Sequence, residues 1–321
     1  MVKIAIAGGS GNVGQEVLHA LVARNKHEIL LLSRKDVPTG ALAPGVTWVK
    51  TTYSDVADLA KTLEGVETVL SFMDNSAAAT QRNLIDAAVQ AGVKRFAPSE
   101  WATSGFAHMP WYGYKEEARK YLAEINREKK VLEYTFFQPG LFTNYMTYPF
   151  SSSKHVDLFE TLVNFHQRRA LVREGGEDDI ITLTTAKDTG KVVALAIEYE
   201  GEWPIFGGIR GAQVTVSELI ALGEKIRGEP FAVEKLKTED LEAGVIKSSW
   251  LPSVTHQSIP LESREAFASM AVVGLLLGYS AGNFDVSDAW NKLLPDYEFT
   301  QPEEFLTKAW AAIDKGEEVQ E

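Results

Sequence analysis

Cysteine is absent from the 321 residues. Its absence excludes a disulfide framework, a zinc–thiolate site, a cysteine-held iron–sulfur cluster and a thiol nucleophile. Positive charge is scarce: Lys and Arg total 32 against 44 Asp and Glu, a formal net charge of −12. A phosphate-backbone binder carries a basic face, so nucleic acid is not an expected partner. An anionic membrane surface is disfavoured on the same ground. No apolar run approaches the roughly 20 residues that cross a bilayer, and the longest, Met270 to Gly278, reads as a buried helix. His155 and His166 have no metal-ligand spacing, and neither a Gly-x-Ser-x-Gly elbow nor an HExxH pair occurs, so no metal is expected. Val2-Lys3-Ile4-Ala5-Ile6-Ala7 runs straight into glycines with no separate leader, and the expectation is a cytoplasmic protein.

With 45% hydrophobic and 24% charged residues the chain has a globular composition, which argues against a disordered or fibrous one. Its length suits one large domain or two smaller ones. Short apolar runs alternate with amphipathic stretches through the first half. Strands are predicted over Val2–Ala7, His27–Leu32, Val46–Thr51, Thr68–Phe72, Lys94–Ala97 and Glu133–Gln138. Helices are predicted over Gln15–Asn25, Asp55–Leu63, Thr80–Ala91 and Tyr114–Glu128. This alternation denotes right-handed βαβ units, and hence an α/β fold with a doubly wound parallel sheet. Beyond Tyr148 the alternation fades. We therefore expect a dinucleotide-binding domain over 1–148 and a smaller α+β cap over 149–321, with a return segment near 180–210 packing on the first domain.

Gly8-Gly9-Ser10-Gly11-Asn12-Val13-Gly14 sits between the first strand and the first helix. Glycines in this context allow a tight turn, a close approach of backbone to a pyrophosphate, and hard packing of helix on strand. The helix N-terminus then offers free N–H groups and a positive dipole to the phosphates. A Walker A loop is excluded, because no Gly-Lys-Ser/Thr follows. At the end of the second strand an NAD site would place an acidic residue against the ribose 2′-hydroxyl. This chain has Ser33-Arg34-Lys35 there, with Asp36 one residue later. Two cations attract the 2′-phosphate of NADP, so the cofactor expected is NADPH/NADP. Charge-assisted hydrogen bonds of about 1.5–3 kcal/mol each would give a preference on the order of a hundredfold.

The glycine loop joined to Val93-Lys94-Arg95-Phe96-Ala97-Pro98-Ser99-Glu100-Trp101 resembles the atypical short-chain dehydrogenases of the NmrA-like and isoflavone-reductase-like family. The resemblance continues through Gln138-Pro139-Gly140-Leu141-Phe142 and Thr184-Thr185-Ala186-Lys187-Asp188-Thr189-Gly190-Lys191. It extends to Trp290-Asn291-Lys292-Leu293-Leu294-Pro295 and Glu303-Glu304-Phe305-Leu306, covering nearly the whole chain. It implies an NADPH-binding doubly wound domain with a substrate cleft beneath a smaller C-terminal part. It also implies reduction of a small aromatic or polycyclic metabolite. A minority of such proteins bind NADP(H) without turning it over and act as regulators.

Ordinary short-chain dehydrogenases carry a Tyr four residues before a catalytic Lys. Here that position before Lys115 is Trp111, and Tyr112 and Tyr114 stand at the wrong spacing. The isoflavone-reductase-like group resembles a Lys-only arrangement, which makes Lys115 the candidate catalytic residue. Strand ends supply the rest, since open α/β sheets bind ligands at their carboxyl edge. Candidates against the cofactor are Phe72, Met73, Ser99, Lys115, Pro139, Gly140, Leu141 and Phe142. Candidates against a small-molecule substrate are Trp101, Tyr112, Asn144, Tyr145, Met146 and Tyr148, for which aromatic core packing is an equal alternative. An NADPH-dependent reductase leads. A non-enzymatic NADP(H) sensor, or a redox-neutral isomerase or cyclase retaining the cofactor, stays open, as does the oligomeric state.

Overall fold

The computed structural model describes residues 1–40, 42–73, 78–255 and 259–319. Its first part holds β1 (Lys3–Ala7), α1 (Asn12–Arg24), β2 (Glu28–Ser33), β3 (Val46–Lys50), α2 (Val56–Thr62), β4 (Thr68–Ser71), α3 (Ala78–Gln90), β5 (Arg95–Ala97), α4 (Gly113–Ile125) and β6 (Glu133–Tyr134). The six strands lie in the order β3-β2-β1-β4-β5-β6, and every pairing is parallel. The winding direction reverses between β1 and β4, which opens a crevice at their carboxyl ends.

The central strands are apolar throughout because both faces are covered. In β1, Ile4 and Ile6 join Val17 and Leu21 of α1 on one face, while Ala5 and Ala7 join Leu59, Leu84 and Leu122 on the other. Successive side chains of a strand point to opposite faces, so a single apolar run serves two cores. Helix α1 begins at Asn12, a turn earlier than the stretch Gln15–Asn25 predicted from the sequence. The last glycine of the loop is thus already helical.

The later elements are β7 (Phe136–Gln138), β8 (Leu141–Phe142), β9 (Val163–Asn164), β10 (Arg169–Arg173), β11 (Ile180–Thr184), α5 (Ala186–Glu198), β12 (Phe206–Gly208), β13 (Ala212–Thr215), α6 (Val216–Arg227), β14 (Ala232–Leu236), α7 (Thr238–Glu242), α8 (Arg264–Ser280), α9 (Ala289–Leu293) and α10 (Pro302–Ile313). The predicted strand Glu133–Gln138 is divided at Thr135. β6 pairs with β5, whereas β7 pairs with β12, and the Thr135 hydroxyl donates to the Pro204 carbonyl at 2.5 Å. Two small sheets, β8-β11-β13 and β9-β10-β14, pack with α6, α8 and α10 around a second core containing Leu171, Leu219, Leu276 and Trp310. Among the described residues no helix is long and apolar enough to cross a membrane.

Helix α5 lies against α1. A Cβ on Gly190 would stand 2.9 Å from the Glu16 carbonyl oxygen, so the absence of a side chain sets the approach of the two helices. Asp188 on α5 accepts hydrogen bonds from the Tyr297 hydroxyl at 2.7 Å and the Thr300 N–H at 3.0 Å, which fastens the C-terminal stretch. Replacing Gly190 by Leu should therefore force α1 and α5 apart and cost about 1–3 kcal/mol. Urea unfolding would register this as a lower midpoint with an unchanged slope; an unchanged midpoint would show that the close approach is immaterial.

Candidate active site

The glycine loop follows from packing at the end of β1. Gly8 has φ +74°, and a Cβ there would lie 2.9 Å from the Phe72 carbonyl carbon and oxygen. A Cβ on Gly14 would lie 2.8 Å from the Gly9 Cα. Gly9 is as confined, since its Cβ would lie 2.5 Å from both Ile6 and Leu31 side chains. Gly11 caps α1 without any side-chain hydrogen bond. The N–H groups of Asn12, Val13 and Gly14 precede the first helical bond, which runs from Gln15 to the Gly11 carbonyl at 2.8 Å. These donors are supplied by backbone alone, and an anion can satisfy them. Ser10 is half-buried, and its carbonyl takes the Gln15 side-chain amide at 3.0 Å.

Beyond β2, Arg34 and Lys35 are exposed. Among the described residues neither side chain has an ion pair. Asp36 is drawn away by Lys50 at 2.6 Å. The acidic residue that would repel a 2′-phosphate is thus neutralised by a neighbour, while both cations remain available. Tyr53, from the loop after β3, passes beneath this end of the sheet, its hydroxyl donating to the Leu32 carbonyl at 2.8 Å. Sequence reading passed over it, since a lone Tyr beyond a strand carries no motif.

Lys115 is 5% exposed and projects from α4 into the turn after β5. Its Nζ donates to the Ser99 carbonyl at 2.9 Å and to the Glu100 carbonyl. An ammonium has three protons, so one is left for a ligand. The rings of Tyr112 and Tyr114 lie 4.9 Å and 5.2 Å from it. Burial brings the lysine down from its ordinary 10.5 to about 8, against the opposing pull of the Glu100 carboxylate, with Arg119 adding to the fall. Such an amine is still protonated at neutral pH and is a far better acid than an exposed lysine.

The turn that cages Lys115 is pinned from three sides. The Ser99 hydroxyl donates to the Met73 carbonyl at 2.7 Å. Gln81 on α3 accepts from both the Ser99 N–H at 2.9 Å and the Ser71 hydroxyl at 2.8 Å, tying the ends of β4 and β5 together. Trp101, at φ +40°, stacks on Phe72 with ring centres 4.2 Å apart and donates its indole N–H to the Ser71 carbonyl at 2.7 Å. Gln81 and Arg119 lie inside helices at positions that read as solvated polar faces, so only the folded turn reveals their part.

The remaining candidates divide. Tyr112 lies edge-on to Trp111, and Tyr145 edge-on to Phe142 and to Phe159 at 5.6 Å and 5.2 Å. Val13 packs against the small cluster of Phe142, Val156 and Ala186, joining the start of α1 to this part of the core. Leu141 is half-buried and Pro139 buried. Gly140, at φ +75°, would place a Cβ 2.5 Å from the Thr182 carbonyl oxygen, so the crossing of β11 already requires glycine there. Asn144 is fully buried: its amide donates to the Ser152 carbonyl at 2.7 Å and accepts from the Ala186 N–H at 2.9 Å. Met146 sits in the second core. Tyr148 borders a cleft of about 660 Å³ with Asn12, Val156, Asp157 and Phe159. The segment 151–159, which lines part of this cleft, is fastened to α1, Ser153 donating to Glu16 at 2.5 Å and Asn12 to Asp157 at 2.9 Å. A larger cavity of about 740 Å³, around His27 and Arg95, opens at the opposite, amino edge of the sheet.

The depressed lysine has a thermodynamic sign. Between pH 8 and 10.5 the unfolded chain keeps a proton on Lys115 that the folded chain has released. Wild-type stability therefore rises with pH in that window. Lys115→Met should be more stable than wild type below that window, and its advantage should fade across it. Urea denaturation of both proteins over this range checks it; a pH-independent difference would place Lys115 in an ordinary solvated environment.

The whole chain is similar to known proteins. Oxidoreductase BOA1 of Botryotinia fuckeliana (strain B05.10) is 27% identical over 316 residues, covering 95% of this chain and 100% of its own. Isoflavone reductase homolog IRL of Zea mays is 27% identical over 328 residues, covering 95% of this chain and 97% of its own. The structure of NADPH-dependent quinone oxidoreductase QOR2 from Escherichia coli, complexed with NADPH, superposes with a TM-score of 0.67 at 23% identity over 96% of this chain and 99% of that one. The model of the NmrA-like family matches residues 2–306, and with the parallel sheet and the glycine loop at its switch point this chain belongs to that family.

Proposed function

We propose that the chain is an NADPH-dependent reductase of a small aromatic or polycyclic metabolite. One observation carries this reading: a buried ammonium at the carboxyl edge of the sheet spends two protons on backbone carbonyls and keeps one for a ligand. In support, the relatives include proteins named as oxidoreductases, and related folds have been solved with NADPH or NADP+. The residues present fit the cofactor, since α1 has an uncapped N-terminus and Asp36 is held by Lys50.

In this reading residues 1–148 hold NADPH and residues 149–321 mainly cover the substrate, with the segment near 180–210 returning to the first unit. The N–H groups of Asn12, Val13 and Gly14 bind the pyrophosphate, with Gly8, Ser10 and Gly11 shaping the loop. Arg34 and Lys35 bind the 2′-phosphate. Phe72, Met73, Ser99, Pro139, Gly140, Leu141 and Phe142 flank the nucleotide, with Trp101 stacked behind Phe72. NADPH, when bound, supplies the hydride. Lys115 orients the acceptor through its third proton and releases that proton to the oxygen on which negative charge develops. Its low pKa makes the release easier, and the Ser99 and Glu100 carbonyls keep the nitrogen in place. Tyr112, Tyr145 and Tyr148 offer ring surface to an aromatic substrate, while the segment 151–159 excludes water from the reacting centre.

The decisive test is oxidation of NADPH, followed by loss of its absorbance, with a panel of quinones and aromatic enones or lactones. Wild type should consume NADPH with at least one of them. Lys115→Ala should lower kcat by about 10²–10⁴-fold while leaving NADPH affinity near that of wild type. Substrate conversion without NADPH loss would instead favour an isomerase or cyclase. Full turnover in the variant would remove the lysine from the mechanism.

A further inference from the structure

Glu100 is 1% exposed, and its carboxylate is gripped by both arms of the Arg119 guanidinium, at 3.1 Å and 2.6 Å. Arg119 follows Lys115 by one helical turn and shares its face of α4. It also donates to the Ser104 carbonyl at 3.1 Å and lies 4.1 Å over the Phe106 ring. Stability alone does not account for such a pair, because well-packed apolar residues of similar volume do as well or better. Glu100 has a second attachment: its carbonyl accepts a hydrogen bond from the Lys115 ammonium. The buried ion pair therefore reaches the lysine twice, through the backbone it anchors and through its field.

We propose that Glu100 and Arg119 are positioning residues for Lys115, Arg119 locking the carboxylate of Glu100 so that the Glu100 carbonyl and charge hold the lysine ammonium in register. The inference rests on the role given to Lys115 above. The groups that face the ammonium are the Glu100 carboxylate, the Arg119 guanidinium and the Tyr112 and Tyr114 rings, with Glu116 acting on Glu100 from the same helix. The carboxylate raises the lysine and the guanidinium lowers it, the carboxylate having the larger effect. Removing the carboxylate alone leaves two like charges together; removing both partners relieves part of that repulsion.

The test is an NMR titration of the cofactor-free protein labelled with ε-13C lysine, the Lys115 signal being identified by its loss in K115R. The wild-type midpoint should lie at about 8. Glu100→Gln should lower it by about one pH unit. The double variant E100Q/R119Q should lower it by less, and Arg119→Lys, which retains the charge, should leave it near wild type. The limb of the kcat–pH profile set by Lys115 should move with these midpoints while NADPH affinity stays constant. A midpoint unmoved in Glu100→Gln overturns the inference. Should that variant not fold, the double variant decides, and a wild-type midpoint there overturns it equally. If Lys115→Ala keeps full turnover while the midpoints still shift, the reductase mechanism fails and the positioning stands. If Lys115→Ala is inactive and the midpoints are fixed, only the positioning fails.

Discussion

A charged nitrogen inside a protein is tolerable only where oxygen atoms replace its water, and in this molecule two backbone carbonyls do so for Lys115. That constraint shapes the neighbourhood. The chain must turn sharply after β5 to present both carbonyls to one side, and Trp101 adopts φ +40° to make the turn. A left-handed tryptophan is costly unless its surroundings hold it there. The stack on Phe72 and the bond to Ser71 do so, and both arise from β4. Gln81 then locks β4 to the turn from the other side of the sheet. The lysine cage is thus a property of the β4–β5 edge beside the switch point rather than of one loop.

The same edge joins the two halves of the chain. The stack continues from Trp101 to Phe137 on β7 and on to Trp290 of α9, with ring centres 5.3 Å and 5.5 Å apart. Arg119 reaches the ring of Phe206 on β12. The late elements α5, β12 and α9 therefore complete the core that supports the lysine turn. On the far side of the crevice Glu16 of α1 holds Ser153 and the His155 N–H, so the segment lining the cleft is anchored to the helix that follows the glycine loop.

The features legible in the sequence were those with short-range causes. Ile4 to Ala7 reads as a buried strand because both its faces are covered, and Gly8 and Gly14 mark a tight strand-to-helix turn because a side chain at either would strike backbone. Arg34 in place of an acidic residue was equally plain. Features set by long-range contact were not legible. Thr135 divides the six-residue stretch Glu133–Gln138 because the sheet changes partners there, and no local pattern announces it. Asn144 has the composition of a pocket residue, yet its amide joins Ser152 to the start of α5. Gly140 suggested a close approach to a ligand, but the Thr182 carbonyl already requires it to be glycine. Gln81, Arg119 and Glu16 gained their meaning only when distant strands and loops closed around them.

The proton held by Lys115 has a use only if a hydride arrives beside it, so the site stands or falls with its cofactor. Calorimetric titration of the unmodified chain with NADPH and then NADH tests this most directly. NADPH should bind at one site, with NADH weaker by on the order of a hundredfold. No measurable heat with either nucleotide, or a preference for NADH, would contradict it.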